Sequence, residues 1–151
     1  MVKVREAKEA DIPRILELYR QLAMNPGELE SVTAEPEFAQ EMFRKMTELE
    51  GYHLLVAEVD GEVMGTAVLM ILPGLAHGIS HWGVVEFMVV DEAHRSRGIG
   101  QVLMDRAAEI AQEADCYKIM LGSNKKRSDA HRFYRKAGYT ATHEGFTRYF
   151  K

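Results

Sequence analysis

Two runs of alternating apolar and polar residues flank the pair Asp60-Gly61 in the segment "HLLVAEVDGEVMGTAVLM". Asp-Gly is a preferred pair for the two-residue turns of β-hairpins, because both turn positions need a positive φ. The flanking runs are rich in β-branched residues, which favour strands. The segment therefore predicts an antiparallel hairpin, and any fold of this chain must contain a sheet built around it.

Strand and helix patterns continue on both sides of the hairpin. Before it, residues 2–7 alternate as a first strand would, and residues 11–22 and 38–49 each carry one apolar helical face, the first with Asp11 as its N-cap. After it, the loop "LPGLAHGISHWG" leads into "VVEFMVV". This almost wholly apolar run is typical of a central strand that is buried on both faces.

The C-terminal third repeats this alternation. We expect a helix from Ile99, a strand at "YKIMLG", a short helix at "SDAHRFYRKAG" that ends at Gly138, and a β-arm in "YTATHEGFTRYF" with a turn at Glu144-Gly145. A chain of 151 residues fits a single domain, residues 1–151. The order of elements predicts an α/β fold, a mixed α+β sheet flanked by helices.

Composition and charge narrow the function. The single cysteine, Cys116, excludes an intrachain disulfide and a cysteine-rich zinc site, and no histidine spacing predicts a metal site. Neither a signal peptide nor a membrane span is evident, so the cytoplasm is the expected compartment and no membrane partner is expected. The net charge of -4 argues against nucleic acid, yet ten basic and five acidic residues lie between His94 and Lys136. Such a region suits a compact polyanion such as a phosphorylated cofactor, although solvated helix faces would also account for it.

A glycine turn, "HRSRGIG", stands between the apolar strand and the next helix. This arrangement points free backbone N–H groups and a helix dipole at an anion, most often a phosphate. Gly98 and Gly100 have no Cβ, so the backbone there can approach a ligand closely. A Walker loop would need lysine at Gln101, and a dinucleotide fingerprint would need a third glycine, so neither applies.

On these residues the chain resembles the GNAT superfamily of N-acetyltransferases. Its signature is Gln or Arg, two residues, Gly, one residue, then Gly or Ala, which "RSRGIG" matches at Arg95, Gly98 and Gly100. The order of elements is similar along nearly the whole chain, and "VEFMVV", "CYKIML" and "FYRKAGY" look like segments of the glucosamine-6-phosphate N-acetyltransferase branch. The resemblance implies the single-domain GNAT fold, with acetyl-CoA as cosubstrate.

The resemblance also implies a set of cofactor-binding residues. Loop amides would hold the pyrophosphate of acetyl-CoA, main-chain groups of the preceding strand would pair with the pantetheine arm, and one later side chain would bond the same arm. These residues are Arg95, Arg97, Gly98, Ile99, Gly100 and Gln101 in the loop, Met88, Val89 and Val90 in the strand, and Asn124 after the next strand.

Two residues are candidates for catalysis. Tyr134 matches the family tyrosine that often protonates the departing thiolate; packing beside Phe133 is the alternative. Glu86 is a carboxylate in an otherwise apolar strand, which is costly to bury without a purpose or a partner. It matches a substrate-facing glutamate of the aminosugar branch, and burial would raise its pKa toward that of a useful base; a structural hydrogen bond is the alternative. A backbone N–H near Val89 would polarise the carbonyl.

The acceptor is predicted only by class. His81 and Trp82, in the loop before the strand, are placed to line an acceptor pocket, and Phe87 stands where the aminosugar branch commonly has an acidic residue. We therefore expect transfer to a primary amine of a small molecule by direct attack in a ternary complex, without naming the amine. A protein or peptide amine, and a non-catalytic acyl-CoA-binding sensor, are the alternatives. Family members often form a homodimer through C-terminal strands, and "FTRYF" has the apolar alternation for one.

Overall fold

The computed structural model describes residues 1–25 and 35–150, and the chain divides into two compact units, Met1–Met120 and Leu121–Lys151. These described residues contain five strands: β1 (Val2–Glu6), β2 (Tyr52–Val59), β3 (Glu62–Leu72), β4 (His81–Val90) and β5 (Cys116–Leu121). The α-helices are α1 (Ile12–Arg20), α2 (Pro36–Thr47), α3 (Ile99–Glu113) and α4 (Ser128–Lys136). A sheet flanked by helices confirms the predicted α/β class, whereas one domain over residues 1–151 stays a prediction.

The sheet has its strands in chain order, β1-β2-β3-β4-β5, and the pairs β1–β2, β2–β3 and β3–β4 are antiparallel. The hairpin prediction is confirmed: β2 and β3 are joined by Asp60 at φ 50° and Gly61 at φ 84°. Positive φ at both positions is the signature of the turn that matches strand twist. The pairing then continues from Val59 opposite Glu62 to the far end of the hairpin.

Helices cover both faces of the sheet. The α1 and α2 side has a core of buried apolar residues from both helices and three strands: Ile12, Ile15, Leu18, Phe43, Leu54, Val56, Val63, Val68 and Val89. On the other face, Gly65 of β3 faces α3, since a Cβ built on Gly65 would lie 3.5 Å from the Ile99 Cγ2 atom. Burial of each large apolar side chain contributes roughly 1.5–3 kcal/mol, so this sandwich holds the site elements in place.

Arg5 ties β1 and β2 to the start of α1. Its Nε donates to Glu58 at 2.9 Å and its Nη1 to Asp11 at 2.7 Å. Asp11 also accepts a hydrogen bond from the Lys8 backbone N–H, and it makes no side-chain cap bond to α1. Asp11 is the N-cap residue of this helix, as predicted, but its carboxylate is taken up by the arginine and the preceding 3-10 turn and not by an N–H group of α1.

Two predictions about β4 are wrong. The strand begins at His81, so His81 and Trp82 lie in the strand and not in the preceding loop. The strand also lies next to the edge strand β5 and is not buried on both faces, since Phe87 is 53% exposed. A run of apolar residues reports hydrophobicity, but it does not report which side of the strand the helices leave open.

The second unit contains α4 and the C-terminal residues. Gly138 follows the C-cap of α4 at φ 94°, as predicted. The predicted β-arm is wrong, because residues 140–150 form no strand and Phe146, Tyr149 and Phe150 are each more than 80% exposed. Apolar alternation is a local property, whereas a strand needs a neighbour to accept its backbone hydrogen bonds.

Candidate active site

The glycine loop ends at the N-terminus of α3, where backbone N–H groups are free to donate hydrogen bonds. Gly98 is the N-cap of α3, with φ 80° and ψ 0° and no side-chain cap, and its carbonyl accepts the Val102 N–H at 3.1 Å. A Cβ on Gly98 would meet no protein atom within 4 Å. The first-turn N–H groups of Ile99, Gly100 and Gln101 have no acceptor within the helix, and they point with the helix dipole into that open space. This arrangement suits a phosphate.

The side chains around the loop are arranged unequally. Arg97 is exposed, whereas Arg95 folds back and its Nε donates to the Val90 carbonyl at 3.1 Å. The Gln101 amide turns along the helix toward Asp105, at 2.8 Å. Of this group, the two arginines can therefore add positive charge, and the glutamine can offer only its backbone N–H.

A β-bulge interrupts β4 just before its end. Residues 66–68 of β3 face residues 86–89 of β4, so β4 has one residue more than its partner there. Phe87 lies in this bulge with φ 50°, a conformation that is strained for a bulky side chain. The bulge breaks the hydrogen-bond ladder and changes the direction of the strand. Nothing in the apolar run predicts it.

The end of β4 extends beyond β5. A Cβ on Gly83 of β4 would lie 3.2 Å from the Ile119 side chain, and β5 continues only three residues before Ile119 and two after it. The last residues of β4, Met88–Val90, are therefore not flanked by β5. This is the edge where the predicted pantetheine arm would lie.

Only alternate residues of this edge offer their main chain to a ligand. The Asp91 N–H donates to the Met64 carbonyl of β3 at 2.8 Å, and the Val89 carbonyl lies close to Gly65 of β3. Because backbone groups alternate between the two edges of a strand, Val89 faces β3, whereas Met88 and Val90 face the free edge. Of the three predicted strand residues, Met88 and Val90 can pair with a ligand there.

Glu86 is a half-buried carboxylate whose surroundings in the described part of the chain offer it no partner. It pairs in register with Val68, so it lies on the face covered by α1 and α2. Among the described residues it has no hydrogen bond or ion pair, and burial raises the pKa of its carboxyl. A carboxylate with a raised pKa and free lone pairs is suited to take a proton from an amine.

An aromatic pair lies beside Glu86. The rings of Tyr19 and Phe87 have centroids 5.9 Å apart and are tilted by 50°. Burial raises the pKa of the Tyr19 hydroxyl, with a smaller contribution from Tyr52, so this tyrosine stays protonated. The pair forms an apolar wall, which explains why an exposed phenylalanine occupies the bulge.

Sequence reasoning missed a lysine on the same face. Trp82 and Glu86 are four residues apart in β4, before the bulge, so both side chains lie on one side of the sheet. The Lys118 Nζ lies 6.0 Å from the Trp82 ring centroid and 5.4 Å from that of Tyr117, which stacks on His77 at 4.2 Å. Cation–π contacts of this kind hold an ammonium group over an aromatic surface. The lysine in "CYKIML" can be read from the sequence, but the face of the sheet on which it lies depends on how β5 pairs with its neighbour. The predicted neighbour His81 is exposed at the start of β4.

The two predicted residues of the second unit, Asn124 and Tyr134, make contacts within that unit. The Asn124 Oδ1 accepts the Lys126 N–H at 2.9 Å, so this side chain builds a turn. Tyr134 is half-buried, with its ring edge-on to Phe133 at 5.3 Å and to Tyr139 at 6.2 Å. Their predicted roles stay predictions.

Other site chemistries find little support. Burial raises the pKa of the Cys116 thiol, which makes it a poor nucleophile. Across residues 1–25 and 35–150, no three His, Cys, Asp or Glu side chains lie where they could share a metal ion. Within the same ranges, every helix is too short or too polar to cross a bilayer.

Residues 12–139 match the family model described as acetyltransferase (GNAT) family. The chain is 37% identical over 81 residues to glucosamine 6-phosphate N-acetyltransferase of Trypanosoma brucei brucei, which covers 54% of this chain and 53% of that protein. It is 37% identical over 97 residues to aminoalkylphosphonate N-acetyltransferase of Salmonella typhimurium, covering 64% and 62%. It is 32% identical over 144 residues to thialysine N-epsilon-acetyltransferase of Bos taurus, covering 87% and 81%. The chain thus spans less than two thirds of the first two relatives.

Solved structures share the whole architecture. A candidate acetyltransferase from Agrobacterium tumefaciens str. C58 superposes with a TM-score of 0.87 at 31% identity, covering 97% of this chain and 99% of that one. A transcriptional regulator from Bacillus halodurans C-125 superposes with a TM-score of 0.89 at 29% identity, covering 99% and 100%. The likeness extends over nearly all of each chain.

Proposed function

Because the chain belongs to the acetyltransferase (GNAT) family, we propose that it is an acetyl-CoA-dependent N-acetyltransferase that acts on a primary amine of a small molecule. The observation that carries the proposal is the loop at Gly98, where a left-handed glycine leaves open space in front of free helical N–H groups. The names of three relatives support a small amine as acceptor.

The residues present fit acetyl-CoA. Acetyl-CoA would supply the acetyl group as a thioester. The backbone N–H groups of the loop would hold its pyrophosphate, with Arg97 adding charge at the rim. Met88 and Val90 would pair with the amides of the pantetheine arm, and Arg95 would move from the Val90 carbonyl if that oxygen is needed. Asn124 would bond the same arm, as the family resemblance implies.

The chemistry then needs three proton or hydrogen-bond steps. Glu86 would take a proton from the ammonium group, directly or through a water, so that the amine can attack. The Met88 N–H, which faces the free edge of β4, would donate to the carbonyl oxygen. The Tyr134 hydroxyl would give a proton to the departing sulfur. A carbon–nitrogen bond would form as the carbon–sulfur bond breaks, and the second proton of the nitrogen would restore the Tyr134 hydroxyl through solvent, so no covalent enzyme intermediate is required.

The acceptor face supports an amine that also carries an anionic group. Lys118 is held over Trp82 on the face that includes Glu86, and it makes no ion pair with any described residue. Trp82 and Glu86 are four residues apart, which corresponds to about 13 Å along the strand. The side chains of Lys118 and Glu86 shorten the distance between their charged groups. By their names, two relatives act on a sugar phosphate and on aminoalkylphosphonates, both of which combine an amine with an anion. The wall of Tyr19 and Phe87 would contact the body of the molecule.

Two measurements test the proposal together. Acetyl-CoA binding is measured by calorimetry, and thiol release is measured with a panel of amines in matched pairs with and without a phosphate, phosphonate or carboxylate. Turnover that favours the anionic member of a pair supports the proposal. Binding without turnover would favour a protein or peptide amine or a sensor, and no binding would overturn the loop assignment. The homodimer stays a prediction, which sedimentation tests.

A further inference from the structure

We infer that Arg14 of α1 and Gln21, the C-cap residue of α1, are positioning residues for the cofactor loop: they fix its stem, Asp91–Glu92, and thereby set the affinity for acetyl-CoA. The inference rests on the proposed function only in taking acetyl-CoA as the ligand of the loop. Neither residue lies in the loop, and neither is needed for the chemistry.

The stem is held through a buried carboxylate. Asp91 is 8% exposed, and Arg14 Nη2 donates to its Oδ2 at 2.6 Å, while Gln21 Nε2 approaches the same oxygen at 3.4 Å. The Oδ1 accepts the Ala93 N–H at 2.9 Å and lies 3.2 Å from His94 Nδ1. Burial raises the pKa of Asp91, but these hydrogen bonds outweigh it and hold the pKa well below its usual range, so the carboxylate is charged.

Helix α1 and its C-cap residue hold the stem at two points, two turns apart. The Gln21 Oε1 also accepts the Glu92 backbone N–H at 2.9 Å. Arg14 in turn donates through Nε to the Val63 carbonyl of β3 at 2.9 Å, so its guanidinium bridges β3 and the stem. Because the Asp91 N–H is bonded to β3 as well, the stem is fixed to both the sheet and the helix.

The loop beyond the stem has few attachments of its own. Residues 95–98 are exposed, and Ser96 and Gly98 both have positive φ, at 63° and 80°. The two ends of the loop are the stem and the buried Ile99 of α3. The position of the N–H donors of the loop therefore depends on how these two ends are held. Removing Arg14 would leave a buried charge without its main partner, and the stem would shift to hydrate it. A ligand would then have to reorder the loop, which lowers affinity.

Arg5 provides a matched control. It also joins α1 to the sheet, and it pairs with the equally buried carboxylate of Asp11; its side chain is 22% exposed, against 29% for Arg14. Its partners are Asp11, the N-cap residue of α1, and Glu58 of β2, and neither belongs to the loop stem. Arg5→Met should therefore destabilise the fold much as Arg14→Met does, without altering the loop.

The experiment compares Arg14→Met, Gln21→Ala and Arg5→Met with the wild type. We measure acetyl-CoA affinity by calorimetry, kcat and KM with acetyl-CoA, and kcat/KM with acetyl-pantetheine, which lacks the phosphates. For Arg14→Met we expect affinity to fall about tenfold, equivalent to roughly 1.4 kcal/mol, with KM raised and kcat kept. The kcat/KM for acetyl-pantetheine should stay within about twofold, and Gln21→Ala should lose about threefold in affinity, the effect of one neutral hydrogen bond.

The outcomes separate the inference from the function. Wild-type affinity in Arg14→Met, or an equal loss in Arg5→Met, would overturn the positioning role while leaving the proposed function standing. If Arg14→Met does not fold, Gln21→Ala decides alone, since its side chain is partly exposed and its loss is tolerable. If the wild type does not bind acetyl-CoA, the proposed function fails first, and the inference fails with it.

Discussion

Gly98 offers the most direct test of the loop, and Gly61 offers its control. Both glycines have a left-handed backbone, with φ 80° and 84°, and a Cβ on either would meet no protein atom within 4 Å. An L-residue in this conformation costs about 1–2 kcal/mol. Gly98→Ala and Gly61→Ala should therefore lower the free energy of unfolding by similar amounts. For a domain of this size that corresponds to a fall in Tm of roughly 2 to 8 °C.

The two variants should differ in acetyl-CoA affinity. A Cβ on Gly98 enters the space in front of the first-turn N–H groups, whereas the hairpin turn at Gly61 is remote from them in sequence and contributes to no part of the proposed site. Gly98→Glu adds a negative charge to the same space. At about 4 Å from a phosphate, the repulsion is about 1 kcal/mol in bulk water and about 4 kcal/mol near a protein surface. Affinity should then fall by about fivefold to several hundredfold.

Calorimetric titration at low and high salt is the assay, with thermal unfolding measured in parallel. The loss in Gly98→Glu should shrink at high salt, because ions screen the repulsion. Should Gly98→Ala and Gly61→Ala bind equally well, and should Gly98→Glu retain wild-type affinity, the loop does not hold the phosphates. The reasoning from free N–H groups would then be refuted, whatever the stabilities.

Three further predictions concern the chemistry and the acceptor. Burial raises the pKa of Glu86, so kcat/KM should rise with pH through a limb above the usual value of about 4.3, and Glu86→Gln should lack that limb. Because the pKa is raised in the folded state, the free energy of unfolding of the wild type should fall relative to that of Glu86→Gln as pH rises through this pKa. Identical pH profiles of kcat/KM in the two proteins would exclude Glu86 as the base. Tyr134→Phe should lower kcat with acetyl-CoA affinity kept, and a loss of stability with kcat kept would indicate packing alone. Lys118→Met should raise KM about tenfold or more for anionic acceptors and little for neutral ones; an equal change for both would exclude recognition of an anion.

Short-range signals in the sequence predicted most of the fold. Asp60-Gly61 specifies its turn through the φ that both residues must adopt, and Gly98 and Gly138 likewise mark helix ends by their own conformational freedom. The C-terminal "FTRYF" shows where such signals stop, because alternation without a neighbouring strand leaves its aromatic residues exposed. Asp11 shows another limit: it is the N-cap residue of α1, as predicted, but its carboxylate binds Arg5, a residue of another element.

The part of the site that the glycine loop forms was predictable from the sequence. The parts that depend on how the strands pair were not. The bulge at Phe87 arises from a mismatch between β3 and β4, which no single strand records. Lys118 reaches the face of Glu86 through the position of β5 beside β4. The Arg14–Asp91 bond joins residues 77 positions apart. Such contacts are properties of the assembled sheet, and local patterns do not contain them.

The chain order of the strands has a consequence for synthesis on the ribosome. A nascent chain that ends at Val90 already contains the three antiparallel pairs β1–β2, β2–β3 and β3–β4, because each of β2, β3 and β4 lies beside the strand synthesised before it. It does not yet contain α3, whose side of the sheet includes the buried residues Leu55 and Leu69. Until α3 leaves the exit tunnel, that apolar face stays exposed to water, and during this time it can aggregate or bind a chaperone. Slow translation between β4 and α3 should therefore lower the yield of folded protein.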